Sequence, residues 1–171
     1  MSRNKYIVIF LVIVLLVASF MALLQRNLKT QENTLSLSSE ENVNTVKISG
    51  KTINVEIADT EEKRKQGLSG KQKDDFKDDS GMLFVFETIG RPIFWMVDMN
   101  FPIDIVWIAN EKIVDIDVNV PHPESNTPPN SLPRYSPSQS VEYVLEVNAG
   151  FTEKHGIKVG DKVEFSLSPN Q

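Results

Sequence analysis

The chain is expected to fold as an α+β domain, mainly antiparallel β, with a small curled or barrel-like sheet and one or two short helices, preceded by a single transmembrane helix. Three observations lead there. Seven or eight short runs between Val46 and Leu167 are dense in branched and aromatic residues, often alternating with polar ones. Only short stretches between them carry helix start and stop signals. Ahead of all of them, the nineteen residues Tyr6 to Leu24 are uncharged and long enough, as a helix, to cross roughly 30 Å of hydrocarbon.

Residues 1–24 therefore read as an N-terminal membrane anchor. Arg3 and Lys5 would also suit a cleaved signal peptide, but the apolar run exceeds the usual signal length of about 7 to 15 residues. No Ala-x-Ala site follows it. Arg26 and Lys29 balance the two leading cations, so the free amino terminus and the very short head decide the orientation. They place the amino end inside, giving a single-pass protein of the cytoplasmic membrane with its soluble domain on the extracytoplasmic side. Residues 25–45 lack Gly, Pro and aromatics and are rich in Ser, Thr, Asn, Gln and Glu, the composition of a flexible tether. Residues 46–171 form the β-rich globular domain.

Within it, Val46 to Ile48 and Thr52 to Ala58 read as a hairpin turning at Ser49 to Lys51, with Ile53, Val55 and Ile57 on the core face. Asp59 or Thr60 starts a short charged helix, Glu61 to Gln66, with Glu62 placed for a capping box on Asp59 and Gly67 as the stop. Its charges are most simply a solvated face. Met82 to Phe86, Ile93 to Asp98, Ile103 to Ala109 and Ile113 to Val120 follow as strands. Residues 121–140 hold six of the nine prolines and lack periodicity, as expected of a lid, a binding loop or a mobile surface loop. Glu142 to Asn148 returns to strand, Gly150 to His155 forms a turn or short helix, and Lys162 to Leu167 closes the sheet.

Composition excludes several functions. With no cysteine there is no disulfide, thiolate nucleophile or zinc-thiolate site. From Val46 onward fourteen Lys and Arg face twenty Asp and Glu, a net charge of −6 with His neutral, which repels phosphate backbones. Nucleic acid is not an expected partner. No phosphate loop, dinucleotide fingerprint or zinc-protease motif occurs, so no cofactor and no metal are expected. Asp74, Asp75, Asp78 and Asp79 miss the EF-hand register and read as a solvated acidic loop. Ser69 is no nucleophile elbow, because Lys71 stands where that motif needs Gly.

The segment Phe94 to Trp107 is the most informative, since it sets Asp98 and Asp104 among bulky apolar residues. A buried carboxylate needs hydrogen bonds, solvent or a ligand. One reading gathers Asp98, Asp104 and Glu146 at a single cleft, able to hold a hard cation, bind sugar hydroxyls or act as acid and base. The other makes Asp104 a turn anchor accepting backbone N–H groups and leaves Asp98 ending its strand in water. Trp95, Met96 and Asn148 complete the candidate binding residues. An exposed Trp would favour sugar stacking, although such aromatic and thioether groups more often fill cores.

The blocks Gln66 to Gly70, Ser80 to Phe86, Phe94 to Trp107, Tyr143 to Gly150 and Gly156 to Asp161, in this order and spacing, closely resemble the domain of unknown function 192 family. The resemblance covers roughly Val46 to Leu167. It implies a compact β-rich fold, often exported or membrane-tethered, and no known reaction. The expected function is a membrane-tethered binding module for a small molecule, glycan or envelope protein. The alternative is a hydrolase acting on an envelope polymer with two carboxyl groups about 5 to 9.5 Å apart across a groove.

Overall fold

The computed structural model describes residues 20–29 and 43–168. Residues 20–29 form a helix, α1, belonging to a unit separate from the domain that begins at Val43. Most of the expected span and tether lies outside the described residues; among those described, no helix is long and apolar enough to cross a membrane.

The domain carries one seven-stranded sheet. In chain order the elements are β1 (Thr45–Ile48), β2 (Lys51–Ala58), α2 (Glu61–Gln66), β3 (Ser80–Gly90), β4 (Ile103–Ala109), β5 (Lys112–Val120), β6 (Val141–Asn148), α3 (Phe151–Lys154) and β7 (Val163–Ser166). The strands lie in the order β5-β4-β6-β3-β2-β1-β7. All neighbours are antiparallel except β2 and β3, whose parallel pairing requires the crossover that α2 supplies. Both tight hairpins turn through two left-handed residues, Ser49 and Gly50 (φ 49° and 78°) and Asn110 and Glu111 (φ 51° and 56°), the geometry that matches strand twist. The domain starts slightly earlier than its composition suggests, since Asn44 accepts the Val55 amide through its carbonyl and the Ser168 amide through its side chain.

The sheet curls until its outer strands touch. Lys112 bridges Lys162, the Ile113 amide donates to Asp161 O at 3.0 Å, and the Val163 amide donates to Glu111 O at 2.8 Å. The result is the mainly β, half-barrel sheet with few short helices that the alternation implied. Inside the curl, one apolar cluster draws on all seven strands, from Ile113 of β5 to Val163 of β7, with Phe151 of α3 added. The outer face of β3, β4 and β6 builds a second cluster around Phe84, Trp107 and Val144. Two faces thus need cover, and the long loops provide it for the outer one.

That need corrects one expectation. Ile93 to Asp98 is not a strand; only Phe94 makes a bridge, to Tyr135, while Val97 and Asp98 form a turn with Asp98 at φ 56°. Phe94 instead packs edge-on against Phe84 and Trp107, with ring centroids 4.8 and 5.4 Å away, and Met96, Met99 and Phe101 sink into the outer cluster. Fully burying such a side chain is worth about 1.5–3 kcal/mol, so the apolar density of this segment reflects packing over the sheet rather than membership of it. Residues 121–140 are pinned at their second half by the Phe94–Tyr135 bridge, by Arg91 Nε donating to Pro137 O, and by the Ser138 amide donating to Asp115. The cap of α2 also differs: Thr60 accepts the Lys63 amide, so Lys63 occupies the position a capping-box Glu needs, and Asp59 pairs with the Lys63 ammonium at 2.9 Å.

Candidate functional site

The two carboxylates that share a core segment in sequence serve opposite faces. Asp104, fully buried, points into the curl beside Val147, its partner across β6. Its Oδ1 accepts the Asn119 and Gly150 amides at 2.8 and 3.1 Å, and its Oδ2 accepts the Thr152 amide and hydroxyl at 3.0 and 2.6 Å. Four donors satisfy the carboxylate and tie together the end of β5, the left-handed Gly150 and the start of α3. Asp104 thus anchors the turn, and it does not border the cavity formed on the other face of the sheet.

Glu146 faces outward, two residues from Val144 on the same side of β6, between its cross-strand partners Met82 and Ile105. It is 6% exposed, and its Oε2 is buried without a hydrogen-bond partner among the described residues. Burial pushes its carboxyl up from the ordinary 4.5 to about 8, so at neutral pH it is mostly a protonated acid able to donate. Glu146 forms part of the lining of a cavity of about 710 Å³ enclosed by α2, the Gly67 to Ser69 loop, Phe84 and Phe86 of β3, and the segment from Pro92 to Met99.

Local rules hold these walls in place. Gly67 ends α2 at φ 51°, and a Cβ there would meet the Phe84 ring at 3.3 Å, so only glycine lets the loop lie this close to β3. The Ser69 hydroxyl donates to Val97 O and the Gly70 amide to Asp98 O, both at 2.8 Å, clamping the two loops together. Arg64, which a solvated helix face would leave in water, is half-buried. It donates to Asp59 O and Val85 O and lies 5.4 Å from the Phe86 ring centroid. Its charge is thus committed to the wall.

Of the expected site residues, this cavity brings together Trp95, Asp98 and Glu146. Trp95 is 40% exposed and carries the Arg134 guanidinium 3.9 Å from its ring centroid. Asp98 is exposed, and its carboxylate has no hydrogen-bond or ion-pair partner among the described residues. Met96 is core. Asn148 is buried outside the cavity, its amide donating to Lys77 O at 2.8 Å while its Oδ1 has no partner among the described residues. The three-carboxylate group does not form, because Asp104 and Glu146 are on opposite faces of the sheet; no cluster of three His, Cys, Asp or Glu suited to a metal occurs among the described residues. Leu68, Ser69, Phe84 and Phe86 also line the cavity; the sequence by itself marks them only as parts of segments that carry the family resemblance. Four of those five segments border this one cavity.

Among curated proteins none matches the chain. Solved structures similar to the chain include the following two. One, from Novosphingobium aromaticivorans and of unknown function, is 27% identical over 70% of this chain and 83% of its own, with a TM-score of 0.61. The other, from Sinorhizobium meliloti and described as a proposed transcription regulator, is 32% identical over 72% of this chain and 93% of its own, with a TM-score of 0.62. The sequence pattern of the DUF192 family, described as an uncharacterised ACR, matches residues 44–165. The chain belongs to this domain of unknown function 192 family.

Proposed function

We propose that the domain is a binding module whose ligand enters the cavity between α2 and the Phe94 to Met99 loop. One observation carries this reading: a buried Glu146 carboxyl whose Oε2 lacks a partner borders a cavity walled by aromatic rings. A buried polar group left unpaired costs about 1–3 kcal/mol, and a ligand acceptor that receives the acid proton recovers it. The ligand is therefore small, uncharged where it meets Glu146, and apolar on the side facing Phe94 and Trp95. The acidic balance of the domain disfavours the nucleic-acid contact that the description of the Sinorhizobium protein would suggest.

The same proposal makes residues 6–24 the membrane anchor, on the strength of the uncharged run, with the cavity outside the cytoplasm. A ligand panel screened by thermal shift on the full chain tests the binding reading, since a ligand at a hundred times its dissociation constant stabilises by about 2.7 kcal/mol. Hits are expected to lose their effect in Trp95→Ala and Glu146→Ala. Hits indifferent to both substitutions, or none from a broad panel, count against it.

The hydrolytic alternative draws on Glu146 as proton donor and the exposed Asp98 as base. Cleavage of a bound oligosaccharide, abolished by Glu146→Gln and by Asp98→Asn while binding persists, would establish it.

A further inference from the structure

Beyond the first cavity lies a second, of about 700 Å³, between the Val97 to Asn100 turn and the His122 to Leu132 stretch. Val97, Asp98 and Met99 border both cavities, so the turn at Asp98 is the ridge between them. We propose that the two cavities are consecutive subsites of one groove, and that its ligand is a linear, uncharged oligosaccharide lying across the Asp98 ridge. This rests on the binding reading given above and names its ligand class.

Size argues first. Each cavity already falls within the range of about 300–1,000 Å³ that holds a whole small ligand, so the pair suits a chain of repeating units better than one compact molecule. The change in chemistry along the groove argues next. The first subsite offers aromatic surface and the buried Glu146 carboxyl, matching the apolar face and hydroxyl edge of one pyranose ring. The second is bordered by His122, Glu124, Ser125, Asn126 and Thr127, side chains that exchange hydrogen bonds with hydroxyls. Between them the Asp98 carboxylate is exposed and has no side-chain partner among the described residues, and its backbone is held by the Gly70 amide, so it can accept from two adjacent hydroxyls.

Two competing occupants fit less well. An extended peptide would seek a free strand edge, but at the groove wall both backbone groups of Phe94 are already bonded to Tyr135, at 2.8 and 2.9 Å. An anionic polymer would meet Asp98 and Glu124 within a domain whose acids outnumber its bases.

The test is calorimetric titration of the full chain with β-1,4-linked N-acetylglucosamine oligomers of increasing length. Affinity is expected to rise about tenfold once the oligomer is long enough to cross the ridge, equivalent to about 1.4 kcal/mol. His122→Ala, an exposed position with no side-chain partner among the described residues, should remove most of that gain and leave short-oligomer affinity unchanged. Short oligomers that bind in a Trp95-dependent manner without any gain from length would overturn the two-subsite groove and leave the binding module standing. Absence of binding at every length, or tighter binding of an unglycosylated peptide, would overturn the oligosaccharide assignment itself.

Discussion

Replacing Glu146 by Gln tests the feature on which the site depends. In the folded domain the carboxyl holds its proton up to about pH 8, whereas the unfolded chain releases it near 4.5. Below 4.5 both states are protonated and nothing is lost. Between 4.5 and 8 the folded state binds one proton more than the unfolded state, so stability falls as pH rises, by about 1.4 kcal/mol per pH unit from this group alone. Above 8 the loss levels off. At neutral pH the accumulated loss is on the order of 3 kcal/mol. Gln is neutral throughout, so its amide brings a pH-independent change in packing and hydrogen bonding while the slope disappears. Urea denaturation of both proteins across about pH 5 to 9 should give a stability difference in favour of Glu146→Gln that grows steadily and then flattens. Subtracting the two profiles cancels every other titrating group. A difference that stays flat over the whole range would mean that Glu146 is ionised and compensated, and the protonated-donor account of the cavity would be wrong.

Three further outcomes follow from the same geometry. Asp104→Ala strands four donors, of which the Thr152 amide and hydroxyl are buried and worth about 1–3 kcal/mol each, and should lower stability by several kcal/mol, whereas Asp98→Asn keeps a side chain that tolerates φ 56° and should leave the urea midpoint nearly unmoved; equal losses would refute the division between anchor and ridge. Gly81→Ala places a Cβ 3.0 Å from Glu146 O and from Leu145 Cδ1, and is expected to cost about 1–3 kcal/mol by overpacking between β3 and β6, read as a lower melting temperature with no change in ligand preference. The full chain should resist alkaline carbonate extraction, and protease added from outside should cut the domain without lysis; protection of the domain would invert the proposed orientation.

Much of the half-barrel could be read directly from the chain, because it is encoded between near neighbours. The alternation of Ile53, Val55 and Ile57, the turn residues at Ser49 and Gly50, and the stop at Gly67 each act within a few residues, and β2 and α2 appear where these signals place them. The dual potential of Asp104 was visible too, since a carboxylate between Ile103 and Ile105 must find donors or water. What the sequence could not supply was the pairing that inserts β6 between β3 and β4. Only that register places Glu146 opposite Met82 and Ile105 on the outer face and sends Asp104 into the curl, separating carboxyl groups that composition alone would have pooled.

The fate of Phe94 to Asp98 was decided the same way. Its residue types suit a strand, but burying Phe94 against Phe84 and Trp107 satisfies them better than another ladder would, and the turn that results opens both cavities. Sequence thus determined the elements, through interactions local along the chain. The tertiary structure alone decided which face each acid serves, because that depends on strands far apart in sequence meeting across a sheet that must bury both of its sides.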